Sequence, residues 1–334
     1  MTIEQVTEQQ PAEIDGLICA YLLDGEGGGK GLDWAGIRAW TASDGILWVH
    51  LDRLVEPARQ WLLEESGIAP VIGNSLLAEE TRPRVLADHD ALMVFVRGVN
   101  LNPGANPEDM VSVRVHIGAN RIITLRHARL MAINDLREAI DGGVGPKTPG
   151  EFLVRMADRL IDRMGPVITE IDETLDDLEE QVQQTATSEL RGRLRQTRQK
   201  SIMLRRYLAP QRDAMSRLQA ERLDWLSDLD CTMLREIADR TTRYVEDLEA
   251  ARERAAAVQE EFNYQISERM NRTMYALTVV AAILLPPSLI AGLFGINVGG
   301  MPGVDNGSAF FIVIGAITVL AVVEYICLRK LRWI

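Results

Sequence analysis

The chain has 334 residues, a formal net charge of −12, 47% hydrophobic residues and three cysteines. Such an acidic balance excludes nucleic acid as the main partner and favours cations. Cys19, Cys231 and Cys327 stand far apart with no C-x-x-C pair, which argues against a disulfide framework or a thiolate zinc site.

In chain order, residues 1–13 are polar and acidic (Glu4, Glu8, Glu13) with no apolar core, so membrane insertion is expected to depend on segments further along. Residues 1–150 read as a cytoplasmic α+β domain, a mixed sheet with flanking helices. Apolar β-branched runs at Ile14–Leu23, Ile46–Leu51, Ala91–Val99, Val111–Ile117 and Arg121–Leu125 predict strands, and Pro57–Ser66 and Asn74–Glu80 predict helices. Asn100–Glu108 carries the prolines, glycine and asparagines of a hairpin loop, and Lys30–Trp40 is left unassigned. Gly29-Lys30 is no phosphate loop, because Asp24 stands where the leading glycine belongs and Gly31 replaces the Ser or Thr; nucleotide-driven pumping is therefore disfavoured. Of the four histidines (His50, His89, His116, His127), only Asp88-His89-Asp90 forms a compact cluster, and three adjacent residues cannot converge from a regular element. A loop could bring two of them together on a regulatory metal; otherwise they are surface turn residues.

Residues 151–272 read as helical. Ile168–Val182 holds seven acidic residues, no basic one, and an apolar stripe Ile168, Ile171, Leu175, Leu178, Val182. After Thr185–Ser188 the charge inverts, with seven basic residues and no acid from Arg191 to Arg206, so the two helices are expected to fold back as a hairpin; solvated faces are the alternative. Pro210 is expected to end the second helix. A stripe from Leu234 through Ile237, Thr241, Tyr244, Leu248, Ala251, Ala255, Val258, Phe262, Ile266 and Met270 to Met274 predicts a long coiled-coil-like stalk helix that enters the membrane, on the order of 90 Å from Leu234 to Gly295.

No Asp, Glu, Lys or Arg occurs from Thr273 to Val304, and Met274–Ile296 is long enough to cross a hydrocarbon core. The chain thus divides into a first span (273–297), a loop (298–308), a second span (309–328) interrupted by Glu324, and a basic tail (329–334). Arg269 and Arg272 precede the first span and Arg329, Lys330 and Arg332 follow the second, while the loop has only Asp305; both termini are expected in the cytoplasm, with Trp333 as an interfacial anchor. Two spans cannot enclose a polar path, so transport requires a ring of copies. One face of the first span shows Met274, Leu277, Ala281, Leu285 and Ser288, which around an axis would make a hydrophobic constriction, with Asn297 offering amide oxygens to a hydrated cation. Ordinary lipid-facing or packing surface is the alternative.

The run Leu277–Asn297, ending Gly295-Ile296-Asn297 before a short second span and a basic tail, resembles the CorA-type divalent-cation transporters, in which Gly-Met-Asn follows such a run. The form Gly-Ile-Asn-Val-Gly-Gly-Met-Pro, with Gly303 where magnesium transporters usually carry Glu, looks like the family's zinc-transport, ZntB-like branch. The resemblance implies a funnel-shaped homopentamer in the bacterial inner membrane, with Asn297 contacting a hydrated metal at the periplasmic mouth and Ser288 as a hydroxyl ring. It implies zinc as the transported ion, with magnesium, cobalt, nickel and cadmium as alternatives, no cofactor and no catalytic residue. Zinc prefers nitrogen and sulfur ligands, so weak sites for a hydrated ion fit this span better than tight coordination. Proton coupling, attributed to the zinc branch, would need a titratable group, and Glu324 is the acidic one inside a span; snorkelling or pairing with the tail is its alternative. Glu236 and Glu260 lie near positions where relatives bear regulatory acids, or are solvated helix charges. A magnesium or cobalt channel of the same architecture and a membrane-anchored scaffold are the rival readings.

Overall fold

The computed structural model describes residues 15–79, 81–184, 187–296, 303 and 306–330. The expectations for Asn297, the 298–302 loop, Asp305, Arg332, Trp333 and the Thr185-Ala186 turn fall outside the described residues. The chain divides into two units, residues 1–258 and 259–334.

In the first unit a seven-stranded sheet has the order β2-β1-β3-β7-β6-β5-β4, with β1 Leu17–Leu23, β2 Gly29–Gly31, β3 Ile46–Asp52, β4 Arg84–Asp88, β5 Ala91–Gly98, β6 Val111–Ile117 and β7 Arg121–Arg126. Only β3 and β7 run parallel; every other pairing is antiparallel. The sheet is thus mixed, as the strand pattern predicts. Two elements lie in the unassigned Lys30–Trp40 stretch: β2 and α1 (Trp34–Ala39), the latter capped by the Asp33 carboxylate on the Gly36 N–H. Strand β4 carries no recognisable alternation (Arg84, Val85, Leu86, Ala87, Asp88) and gains its form from pairing with β5.

Alternation along the strands sends side chains to two helical layers. Leu47, Val49, Leu51, Met93, Phe95, Ile123 and Leu125 pack with Ile37 of α1, Ala58 of α2 (Glu56–Gln60), Trp61 and Leu62 of the π-helical turn Trp61–Glu65, and Leu76 of α3 (Pro70–Leu77). On the other face Trp48 stacks on Tyr21 at 5.7 Å and meets Phe152 of α5 (Pro149–Asp162) edge-on at 5.0 Å. Arg114 of β6 is 1% exposed, and its guanidinium donates to the carbonyls of Leu76 and Glu79. A buried cation thus satisfies orphan acceptors at the C-terminal end of α3. Burial and the neighbouring Arg53, Arg97 and Arg84 bring its pKa down to about 10.

The helices α4 (Met131–Asp141), α5, α6 (Gly165–Gln184), α7 (Ser188–Leu218) and the first part of α8 (Asp228–Gly295) complete the unit. The predicted α6 stripe is buried at all five positions. Pro210 does not end the helix it sits in: α7 continues to Leu218, with Gln211, Ala214, Met215 and Leu218 buried beyond the proline. Packing of two further turns outweighs the one backbone bond that proline removes, a loss of about 3 kcal/mol. The α6–α7 hairpin forms as expected, yet among the described residues no ion pair joins its helices. Instead Asp176 and Glu179 of α6 accept from Arg254 of α8, Arg205 of α7 reaches Glu249 at 3.1 Å, and Arg240 holds Asp158 and Asp162 of α5 at 2.7 and 2.8 Å. Leucine stripes close the hairpin, and charge ties it to α8.

His50 is buried on β3, sharing a 2.8 Å hydrogen bond between Nδ1 and the Thr124 hydroxyl. Burial, with Arg126 nearby, depresses its pKa from 6.5 to about 3. Between those values the unfolded chain binds a proton that the folded chain refuses, so stability from this group is full above pH 6.5 and falls as pH drops toward 3. In detergent-solubilised protein, the guanidinium midpoint followed by tryptophan fluorescence should fall across that window. His50→Asn should flatten the slope by up to about 1.4 kcal/mol per pH unit; equal slopes in both proteins would refute the assignment.

Candidate functional site

Beyond residue 258 the character of α8 changes. Its stripe is buried at Val258 and Phe262, but Ile266, Met270 and Met274 are 43%, 55% and 57% exposed. The C-terminal part of α8 and the whole of α9 (Ala309–Lys330) are long and apolar enough to cross a membrane, and no residue of either apolar window is buried. Rows of bare leucine, isoleucine and phenylalanine on this scale are incompatible with water and match a hydrocarbon surround.

Within the second unit each span has one partly shielded stripe. On α8 it is Val279, Ala282, Ile283, Pro286, Pro287 and Ile290; on α9 it is Ala309, Val313, Ile317, Leu320, Ala321, Glu324 and Leu328. Steps of three and four show a single face in each case. Met274, Leu277, Ala281, Leu285 and Ser288 all lie off the α8 stripe and are exposed. At about 100° per residue their mean direction is roughly 180° round the helix from the shielded face. The five candidate pore positions therefore share one uncharged surface that the single chain leaves bare.

Pro286 and Pro287 both sit inside α8. Each lacks the N–H that would bond four residues back, so the carbonyls of Ala282 and Ile283 lose their helical partners. Transmembrane helices tolerate such gaps where neighbouring groups take up the freed acceptors. Gly295 closes α8, and Ile296 beyond it is 49% exposed. The motif's amide, Asn297, is outside the described residues.

Glu324 occupies the shielded stripe of α9, and its Oε2 is buried without a hydrogen-bond partner among the described residues. Arg329 and Lys330 are described and form no ion pair with it. Glu236 is exposed and stands 3.8 Å from Arg243, and Glu260 is exposed. Among the described residues no group of three or more His, Cys, Asp or Glu could hold a metal ion. The Asp88-His89-Asp90 cluster is split: His89 takes the tip of the β4–β5 turn at φ 50°, while the Asp88 carboxylate lies 3.2 Å from Nε2 of His116 on β6. Burial lowers the His116 pKa, and Asp88 opposes that shift. This pairing, which sequence reasoning missed, follows from strand register: His116 faces Met93 on β5, whose partner Leu86 lies two residues before Asp88.

With this geometry in place, comparison with known proteins is decisive. Residues 43–330 match the model of the CorA-like Mg2+ transporter protein family. The chain belongs to the CorA-like transporter family. It is 43% identical over 322 residues to the divalent cation transporter CmaX of Pseudomonas aeruginosa, covering 96% of this chain and 97% of that one. It is 32% identical over 329 residues to the zinc transport protein ZntB of Yersinia pseudotuberculosis, covering 98% and 99%. The structure of full-length CmaX superposes with a TM-score of 0.84 at 42% identity, over 96% of this chain and 98% of that one. The CorA magnesium transporter of Methanocaldococcus jannaschii, at 19% identity, shares the fold with a TM-score of 0.79 over 95% and 99%. This CorA-family chain is accordingly a membrane protein for divalent-cation transport, not an enzyme.

Shielding on α9 makes a stability prediction. Ala321→Trp, on the inward stripe, should lower the melting temperature in detergent through overpacking of about 1–3 kcal/mol. Val322→Trp, at a position 52% exposed, should leave it within error. Equal effects at the two positions would mean that the stripe is not a packed face.

Proposed function

We propose that this protein carries zinc into the bacterial cytoplasm through a pore formed by five copies, each contributing the bare face of its first span. The observation that carries the reading is that face: Met274, Leu277, Ala281, Leu285 and Ser288 are uncharged, aligned and exposed, opposite the shielded stripe of the same helix. Two helices alone have no lumen, and a ring of copies gives this surface a use. Methionine and leucine rings would close the path by dewetting, Ser288 would add a hydroxyl ring, and Gly295-Ile296-Asn297 would set amides at the outer mouth.

Support for zinc comes from the loop, where Gly303 brings no carboxylate to the mouth, and from the ZntB relatives aligned over nearly the whole chain. No tight zinc site is required, because conduction needs sites weak enough to leave. Arg269, Arg272, Arg329 and Lys330 flanking the spans support cytoplasmic termini, and the family resemblance supports the inner membrane. Glu236 and Glu260 would act as regulatory acids only where neighbouring copies bring a second carboxylate to them.

In proteoliposomes, Asn297→Ala should reduce zinc uptake at least about tenfold, the loss of one good oxygen contact per copy, with particle mass unchanged. Wild-type uptake by this variant would remove Asn297 from the pathway, and parallel assays with magnesium and cobalt decide the ion. Glu324 is the coupling group in this proposal: it is the acidic residue inside a span, and its shielded oxygen has no hydrogen-bond partner among the described residues. An imposed pH difference should accelerate uptake by the wild type and leave Glu324→Gln unaffected. An identical response in both proteins would dismiss Glu324.

A further inference from the structure

Because Asp176, Glu179 and Arg205 are spent on α8, the α6–α7 hairpin carries two charge rows with no internal use. On α6, Glu173, Asp177 and Glu180 recur at four and three, all exposed and, among the described residues, in no ion pair. On α7, Arg191, Arg195 and Arg198 recur at four and three, all exposed and likewise in no ion pair among the described residues, and Ile202, 46% exposed, continues the row one turn on. Each row lies away from the buried stripe of its own helix, so neither can be neutralised by the packing of the single chain.

A chain of net charge −12 repels its own copies, and a contact where unlike charges meet within about a Debye length of 8 Å offsets part of that repulsion. The Arg191–Arg206 run, with seven cations and no acid, is the segment able to offset that repulsion. We propose that the α6 acidic row of one copy docks against the α7 basic row of the next. The two rows are different patches of one molecule, so the contact is head-to-tail, the kind that closes into rings. Its value is orientation: charge complementarity selects register and rejects like-on-like approach. The proposal rests on the multi-copy reading above.

The test uses full-length protein in detergent with Cys327→Ser. Oxidation of Asp177→Cys/Arg195→Cys should give a ladder of linked copies, and neither single variant should link to itself. Reversing one row (Arg191→Glu with Arg198→Glu) should slow linking about tenfold, as expected for a few exposed pairs, and also reversing Glu173→Arg with Glu180→Arg should restore it. A transporting, multi-copy particle that gives no ladder would overturn this contact alone. A monomeric particle would overturn both the contact and the pore. Self-linking of Asp177→Cys would replace it with a two-fold contact. Reversal that weakens binding to phosphatidylglycerol vesicles without changing the linking rate would assign the basic row to lipid instead.

Discussion

In hydrocarbon a backbone N–H or C=O has no water to turn to, so any segment that crosses must satisfy its own polar groups. That constraint shapes everything distal to residue 258. It makes both crossing segments helices, and it leaves two spans per copy without a lumen. On the proposed reading the route for an ion therefore passes between copies. The same constraint gives Pro286 and Pro287 their interest: two freed carbonyls mid-span fall at Ala282 and Ile283, on the shielded face rather than the bare one. The helix thus keeps its backbone irregularity away from the surface proposed for the ion.

The first unit obeys the opposite solvent rule. Its sheet is covered on both faces, and the buried Arg114 inside it is matched to backbone acceptors at the end of α3. Ion pairs between helices converge on α8, which takes Asp158 and Asp162 from α5, Asp176 and Glu179 from α6 and Arg205 from α7. None of these surface pairs contributes much alone. Together they fix the rotational setting of α8 against three neighbours within the first unit. For a transporter, the helix that becomes the first span is then also one that ion pairs tie to three helices of the first unit.

On the proposed reading, a hydrated divalent cation asks for oxygen dipoles and a path that can dry out. Zinc in a tight site would ask for imidazole or thiolate, and the four histidines all lie before residue 150. Two of them are buried within the sheet, where His50 meets Thr124 and His116 meets Asp88, so their roles are internal to the fold.

Local composition alone determined the membrane spans, the charge inversion between α6 and α7 and the long α8. Each depends on periodicity or on the absence of charge over many residues, and both survive any tertiary context. The Gly-Ile-Asn motif was legible for the same reason: its meaning comes from its place at the end of a span. Strand β4, the continuation of α7 through Pro210, the Asp88–His116 pair and the use of α6 acids by α8 were decided only by tertiary structure. In each, a partner distant in sequence supplied more free energy than the local preference opposed, whether as a paired strand, a buried face or a nearby charge. Glu324 belongs to both: sequence marked it as the acid in a span, and only packing showed that its carboxylate turns to the shielded side.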